Sequence, residues 1–172
     1  MILPEGKFEI EEMETDWENW KPNMRATLVF VRRGDEVLLI HKKRGLGAGK
    51  INGPGGKLDP GETALQAAIR EVEEELKITA FDLEEMGILR FQFVDGLAIH
   101  CVVYTAAGFS GIPTETDEAI PEWFKVDEIP YEQMWQDDQY WLPRMLGGEK
   151  FLAHFDFDDE EMLSMCIEWG AE

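Results

Sequence analysis

The chain is short of cysteine, of positive charge and of long apolar runs, and each shortage excludes something. Its two cysteines, Cys101 and Cys166, lack the spacing of a metal-binding pair, and Cys101 lies in an apolar stretch that reads as a buried strand. Both read as unpaired thiols. Lysine and arginine together number 16 against 36 aspartates and glutamates, a formal net charge of −20 at pH 7. Such a surface repels a phosphate backbone, so no long nucleic acid is expected as a partner. A small anionic substrate remains compatible with this charge if divalent cations reverse the electrostatics of its immediate site. The longest apolar stretches, such as Leu28 to Val31 and Val37 to Ile40, fall far below the roughly 20 residues that cross a bilayer, so no membrane partner is expected either. The acidic segment Met1 to Glu18 has neither the basic flank nor the apolar run of a secretory signal, which predicts a cytoplasmic protein.

What is present suits one folded domain. A length of 172 residues can bury a real core, and 44% hydrophobic with 30% charged residues is a globular balance rather than a disordered one. Residues 1–24 mix acids with Trp17, Trp20 and Pro22 without a clean period and read as an N-terminal extension packed loosely on a domain spanning 25–172. From there, Ala26 to Arg32 and Glu36 to Lys42 read as a hairpin turning at Arg33-Gly34-Asp35. The glycines and prolines of the segment Gly45 to Gly61 predict a loop without regular elements. An alanine- and glutamate-rich helix follows, from Glu62 and Thr63 to about Lys77. Phe81 to Phe93 and Leu97 to Ala106 are predicted strands joined at Asp95-Gly96, with another strand at Glu122 to Val126 and a short helix at Tyr140 to Met145. Phe151 to Phe157 suits an edge strand, and Met162 to Trp169 a closing strand or helix. No internal repeat is present. Strands on both sides of one central helix, without strand–helix alternation, predict an α+β domain.

At about 100° per residue, Glu71, Glu74 and Glu75 share one face of that helix, while Glu73 points away. Leu65, Ala68, Ile69, Val72 and Leu76 form the adjoining apolar stripe, which would dock the helix on a sheet and leave the three acids at its margin. Like charges at these spacings repel, and hard divalent cations with oxygen ligands are the usual remedy. A merely solvated acidic face is the alternative.

Read as a string, Gly56-Lys57-Leu58-Asp59-Pro60-Gly61-Glu62, seven residues, and Arg70-Glu71-Val72-Glu73-Glu74-Glu75-Leu76-Lys77-Ile78 resemble the Nudix box. The departure is Lys77, where the family has glycine at the helix end. The resemblance implies a Nudix fold, a mixed β-sheet core sandwiched between helices. It also implies hydrolysis of a phosphoanhydride in a nucleoside diphosphate derivative. By the same resemblance Glu71, Glu74, Glu75 and the carbonyl of Gly56 bind catalytic Mg2+, with Mn2+ as an alternative, and Glu118 is a further acid near the metal. Arg70 pairs with Glu62 to hold the helix, and Glu74 or Glu75 orients or deprotonates the attacking water.

The likeness continues outside the box. Lys42 to Gly53, Trp123-Phe124 and the run Met134-Trp135-Gln136-Asp137-Asp138-Gln139-Tyr140-Trp141 are similar to Nudix enzymes acting on oxidised purine nucleoside triphosphates. That likeness implies a small-molecule purine nucleotide such as 8-oxo-dGTP as substrate. Asn52, Asp137 and Asp138 would read the purine edge and Trp135 stack on the base, with Thr27, Lys42 and Phe91 lining the pocket. Lys57 is a candidate phosphate contact or a solvated lysine. Two adjacent aspartates cannot easily both stay ionised, so one can donate a hydrogen bond while the other accepts; a helix-capping pair is the plainer reading. For Trp135 and Trp141 alike, a place in the core is the alternative reading. Leu46 and Ala119 stand where those enzymes carry larger side chains at the base pocket, which loosens the expected selectivity. Other nucleotides, among them dGTP, a methylated purine nucleotide or a nucleotide sugar, are the alternative substrates. A catalytically weak nucleotide sensor is the alternative function.

Overall fold

A computed structural model describes residues 2–3, 7–8 and 15–170. Its strands are β1 (Ile2–Leu3), β2 (Lys7–Phe8), β3 (Met24–Arg33), β4 (Glu36–Lys42), β5 (Ile51–Asn52), β6 (Gly55–Lys57), β7 (Thr79–Phe93), β8 (Ala98–Ser110), β9 (Ala119–Lys125), β10 (Phe151–Asp158) and β11 (Glu161–Trp169). The helices are α1 (Ala64–Leu76) and α2 (Asp138–Leu146), with a 3-10 turn at Tyr131–Gln133. The strands form one mixed sheet in the order β1-β2-β11-β10-β7-β8-β3-β4-β5. Pairing is parallel for β3 with β8 and for β10 with β7. The strand β3 has two neighbours on its other side: Ala26 to Leu28 pair with β6, and Val31 to Arg33 with β4. β9 runs antiparallel along β4.

Strand parity divides the core between the two faces. Val29, Val31, Leu38, Ile40, Val102 and Tyr104 face α1 and meet its Ala68, Val72 and Leu76. Phe30, Val37, Leu39, Cys101 and Val103 point the other way, towards Trp141, Leu142 and Met145 of α2. The predicted sheet between helices is therefore the arrangement seen. Fully buried Trp141 stacks on Phe151 at 5.3 Å and meets Phe30 edge-on at 5.9 Å, which settles it as a core residue.

Several details differ from the sequence expectation. The glycine-rich segment contains the short strands β5 and β6, because its backbone pairs with β4 and β3 across the sheet. β10 lies inside the sheet between β7 and β11 rather than at an edge, and β11 is a strand. Of the described part of the N-terminal segment, Trp17 stacks on His154 at 4.5 Å and the Trp20 ring N–H donates to Gln92 Oε1 at 2.9 Å. The Thr15 hydroxyl donates to the buried carboxyl of Asp156.

Candidate active site

Helix α1 begins at Thr63, whose hydroxyl accepts the Gln66 N–H at 3.1 Å while the Gln66 side chain accepts the Thr63 N–H at 2.9 Å. This reciprocal cap satisfies two backbone donors at the helix start. The other end closes on Lys77, which adopts the left-handed conformation (φ 62°, ψ 30°) and donates its N–H to Glu73. The lysine thus takes up the shape for which the family uses glycine, at the steric cost of its Cβ.

The predicted acids divide along this helix. Glu75 is buried, with 3% of its surface exposed, within the docked face rather than at its margin. Leu65, expected in the apolar stripe, is instead exposed, and Ala67 is buried in its place, on the face by which α1 packs against β3, β6 and β7. Gly55 N–H donates to Glu75 Oε1 at 2.8 Å. Burial raises the Glu75 carboxyl to about 8 against this bond, and neighbouring Glu71 and Glu118 add to the rise while Lys42 opposes it. Glu71 is also pushed up by burial, opposed by Arg70. Its carboxylate lies so close to Gly56 that a Cβ there would stand 2.6 Å from it and would push the Glu71 side chain aside. Glu74, in contrast, has a side chain 52% exposed and turned to solvent.

Arg70 ties this end together. Its guanidinium donates to both Glu62 oxygens at 2.8 and 2.9 Å, to Glu71 at 2.8 Å, to Glu74 at 3.2 Å and to the Lys57 carbonyl at 2.9 Å. Hydrogen bonds from Arg70 lower Glu62 to about 2, and those accepted by Glu62 and Glu71 push Arg70 up. The expected Glu62–Arg70 brace is thus present. Among the described residues no three acids or imidazoles already stand at ligating distances, since Glu71 and Glu74 face Arg70 and Glu75 faces Gly55. The donor set nevertheless suits a hard divalent cation: it is all oxygen, and Glu71, Glu75, Glu118 and Gly56 line one cavity.

That cavity, about 480 Å³, runs from the acids to an aromatic end. It brings together nearly all the candidates outside α1: Thr27, Lys42, Asn52, Gly56, Lys57, Phe91, Glu118, Trp135, Asp137 and Asp138. Arg70 and Glu74 are absent from the lining and lie on the helix behind it. At the aromatic end Trp135 stands edge-on to Phe93 at 6.2 Å and to Phe157 at 5.7 Å, and Phe91 stacks on Phe155 at 5.4 Å. The ring edges fix Trp135 and leave it on the cavity wall.

Asp137 and Asp138 are both buried, and Asp137 makes no side-chain cap to α2. Its Oδ2 instead accepts the Trp141 ring N–H at 2.9 Å, one helical turn away. Burial raises both carboxyls, Asp138 further because the charge of Asp137 acts on it, whereas Trp141 holds Asp137 down. Burial of two adjacent carboxyls therefore favours one shared proton on the pair, so that one oxygen can donate a hydrogen bond while the others accept. Asp137 Oδ1 and the buried Thr27 hydroxyl have no hydrogen-bond partner among the described residues. Such atoms are costly unless a bound molecule completes them.

Sequence reasoning missed part of this wall. Leu28, Phe30, Phe93, Ile99 and Cys101 line the cavity. Their strand parity with Phe91 or across the β3–β8 pair was the available signal. Ala119, expected at the base pocket, is fully buried on the α1 side and absent from the cavity lining, because β9 turns it towards the α1-side core. Leu46 does line the cavity, 46% exposed at its mouth. No helix among the described residues is long and apolar enough to cross a membrane.

A mixed sheet between two helices, with a braced glutamate helix ending on one cavity, is the architecture of a family. The NUDIX domain profile matches residues 22–145, and the chain belongs to that family. Nudix hydrolases generally use divalent metal ions. Among its relatives, the zebrafish (Danio rerio) protein named oxidized purine nucleoside triphosphate hydrolase is 44% identical over 80% of this chain and 88% of its own. The mouse (Mus musculus) protein of the same name is 42% identical over the same shares. The crystal structure of a MutT protein from Bacillus halodurans superposes with a TM-score of 0.73 at 28% identity, covering 84% of this chain and 97% of that one.

Proposed function

We propose that the protein hydrolyses purine nucleoside triphosphates, oxidised ones such as 8-oxo-dGTP foremost, to the monophosphate and pyrophosphate. The observation that carries this is the two-part cavity, acids at one end and two buried adjacent aspartates beside Trp135 at the other. The names of the zebrafish and mouse relatives point the same way. A base seated at the aromatic end presents its edge to Asn52, Asp137 and Asp138 and its face to Trp135. One aspartate of the pair, protonated, donates a hydrogen bond, the other accepts one, and the carboxamide of Asn52 does either. Donor and acceptor on adjacent residues suit a purine whose N–H and carbonyl groups alternate. Thr27, Phe91 and Lys42 line the path between base and phosphates.

At the acid end Glu71, Glu74, Glu75, Glu118 and the Gly56 carbonyl are the ligands we assign to Mg2+, with Mn2+ as a substitute. Held by these residues, Mg2+ would supply neutralisation of the phosphate charge and Lewis-acid polarisation of the phosphorus. Glu75 or Glu74 takes the proton of the attacking water; Glu75 lines the cavity, whereas Glu74 lies on the helix outside its lining. Arg70 orients Glu71 and Glu74 and keeps Glu62 ionised, a positioning role. Lys57 and Lys42 supply positive charge beside the phosphates. A cytoplasmic role in cleansing the nucleotide pool accords with this chemistry.

A crystal structure with 8-oxo-dGMP and Mg2+ tests the assignment. The base is expected against Trp135, within hydrogen-bond reach of Asn52, Asp137 and Asp138. A base bound outside the cavity, or one that leaves both aspartates unpaired, would refute it.

A further inference from the structure

The loop of residues 43–50 and the turn of the β10–β11 hairpin lie far apart in sequence, yet both close on Trp135. Backbone bonds stiffen the loop: Lys42 N–H to the Lys50 carbonyl at 3.0 Å, Gly49 N–H to Lys42 at 2.8 Å and Lys50 N–H to Gly47 at 3.0 Å. Gly47 lies so near the Trp135 ring that a Cβ would stand 2.8 Å from its indole nitrogen and 3.6 Å from the Asn52 amide. Asn52 in turn donates its amide to the Lys50 carbonyl at 3.3 Å. Lys50 therefore touches both groups assigned to the base, Asn52 through its carbonyl and Trp135 through its ammonium, 5.4 Å from the ring centroid.

The hairpin holds the opposite side. Phe157 of β10 meets Trp135 edge-on, and the Met162 N–H of β11 donates to Gln136 beside it at 2.8 Å. Between these two strands Glu160 reaches out to Lys50 at 2.6 Å. That ion pair bridges loop and hairpin at Trp135.

We propose that the Lys50–Glu160 ion pair is a latch that holds Trp135 and Asn52 in register and so sets purine affinity without taking part in the phosphate chemistry. Neither residue lines the cavity; both are positioning residues. An ion pair partly open to water contributes modestly, so the effect is a few-fold change read on base binding.

The inference rests on the purine reading, and the experiment separates the two. Binding of 8-oxo-dGMP is measured with the wild-type chain, Lys50→Ala, Lys50→Arg, Glu160→Lys and the exchanged pair Lys50→Glu/Glu160→Lys, together with Mg2+-dependent turnover of 8-oxo-dGTP and dTTP. Lys50→Ala and Glu160→Lys are expected to raise Kd and the purine KM about three-fold, with kcat and the KM for dTTP unchanged. Lys50→Arg retains wild-type binding and the exchanged pair recovers it, which a general loss of structure would not allow. Unchanged purine binding in both single variants, equal losses on dTTP, or no recovery in the exchanged pair would overturn the latch. A wild-type chain that does not bind 8-oxo-dGMP at all would overturn the purine reading, and the latch with it.

Discussion

Replacing Glu75 by glutamine has a stability effect whose sign can be worked from the site. A carboxyl ordinarily titrates near 4.5, but in the folded chain burial lifts Glu75 to about 8. The folded state keeps a proton that the unfolded chain releases, so the stability Glu75 contributes is full below pH 4.5 and is lost as pH rises through about 8. At about 1.4 kcal/mol for each pH unit, this costs the metal-free protein roughly 3 kcal/mol at pH 7. Glu75→Gln keeps an oxygen to accept the Gly55 N–H and cannot ionise, so it removes that cost. Urea unfolding in the presence of a chelator, from pH 5 to pH 9, reads the effect. Asp137 and Asp138 add the same slope to both proteins, so the difference between wild type and variant isolates Glu75. The wild type is expected to lose stability with rising pH more steeply than Glu75→Gln, and Mg2+ to stabilise only the wild type at alkaline pH. The variant is also expected to lose turnover while remaining folded. Parallel pH profiles for the two proteins would refute the burial of an ionisable Glu75, and retained turnover would refute its role.

Lys77→Gly should stabilise the protein by about 0.5–1 kcal/mol, raising Tm by roughly 1–4 °C, because glycine adopts the left-handed cap without the Cβ penalty; calorimetry reads this. Arg70→Ala should weaken activation by Mg2+ about 10- to 100-fold, seen as a higher metal concentration at half-maximal rate, since Glu71 and Glu74 lose their common anchor. Arg70→Lys should retain only part of that activation, because an ammonium lacks the fork that grips Glu62. Asp137→Asn should change the ratio of kcat/KM between 8-oxo-dGTP and dGTP by at least about ten-fold with little change in the Mg2+ requirement; equal losses on both nucleotides would count against purine reading.

The parts of this site that could be read from sequence are those with a fixed spacing. The Glu62–Arg70 brace, the glutamates of α1 and the start of the helix at Thr63 follow from one string, because charge and capping act between near neighbours. The depth at which Glu75 sits does not, since it depends on how β3, β6 and β7 cover the helix, and a helical wheel contains no sheet. β5 and β6 were invisible for a similar reason: the two residues of β5 and the glycine pair of β6 carry no strand pattern, and their pairing partners are supplied by β4 and β3. Asp137 was legible as a pocket acid, but its bond to Trp141 required knowing that both lie on one helix turn. Ala119 was placed at the base pocket by resemblance alone, and the pairing of β9 along β4 that turns it to the α1 side has no local signal in the sequence. Glu74 shares its face of α1 with Glu71 yet points to solvent, held there by Arg70.

The central claim is tested most directly by steady-state turnover with Mg2+ across 8-oxo-dGTP, 2-oxo-dATP, dGTP, dATP and a nucleotide sugar, with the products identified. The highest kcat/KM is expected for the oxidised purines, with release of monophosphate and pyrophosphate and no turnover in Glu75→Gln. A preference for the nucleotide sugar, or release of inorganic phosphate in place of pyrophosphate, would contradict it.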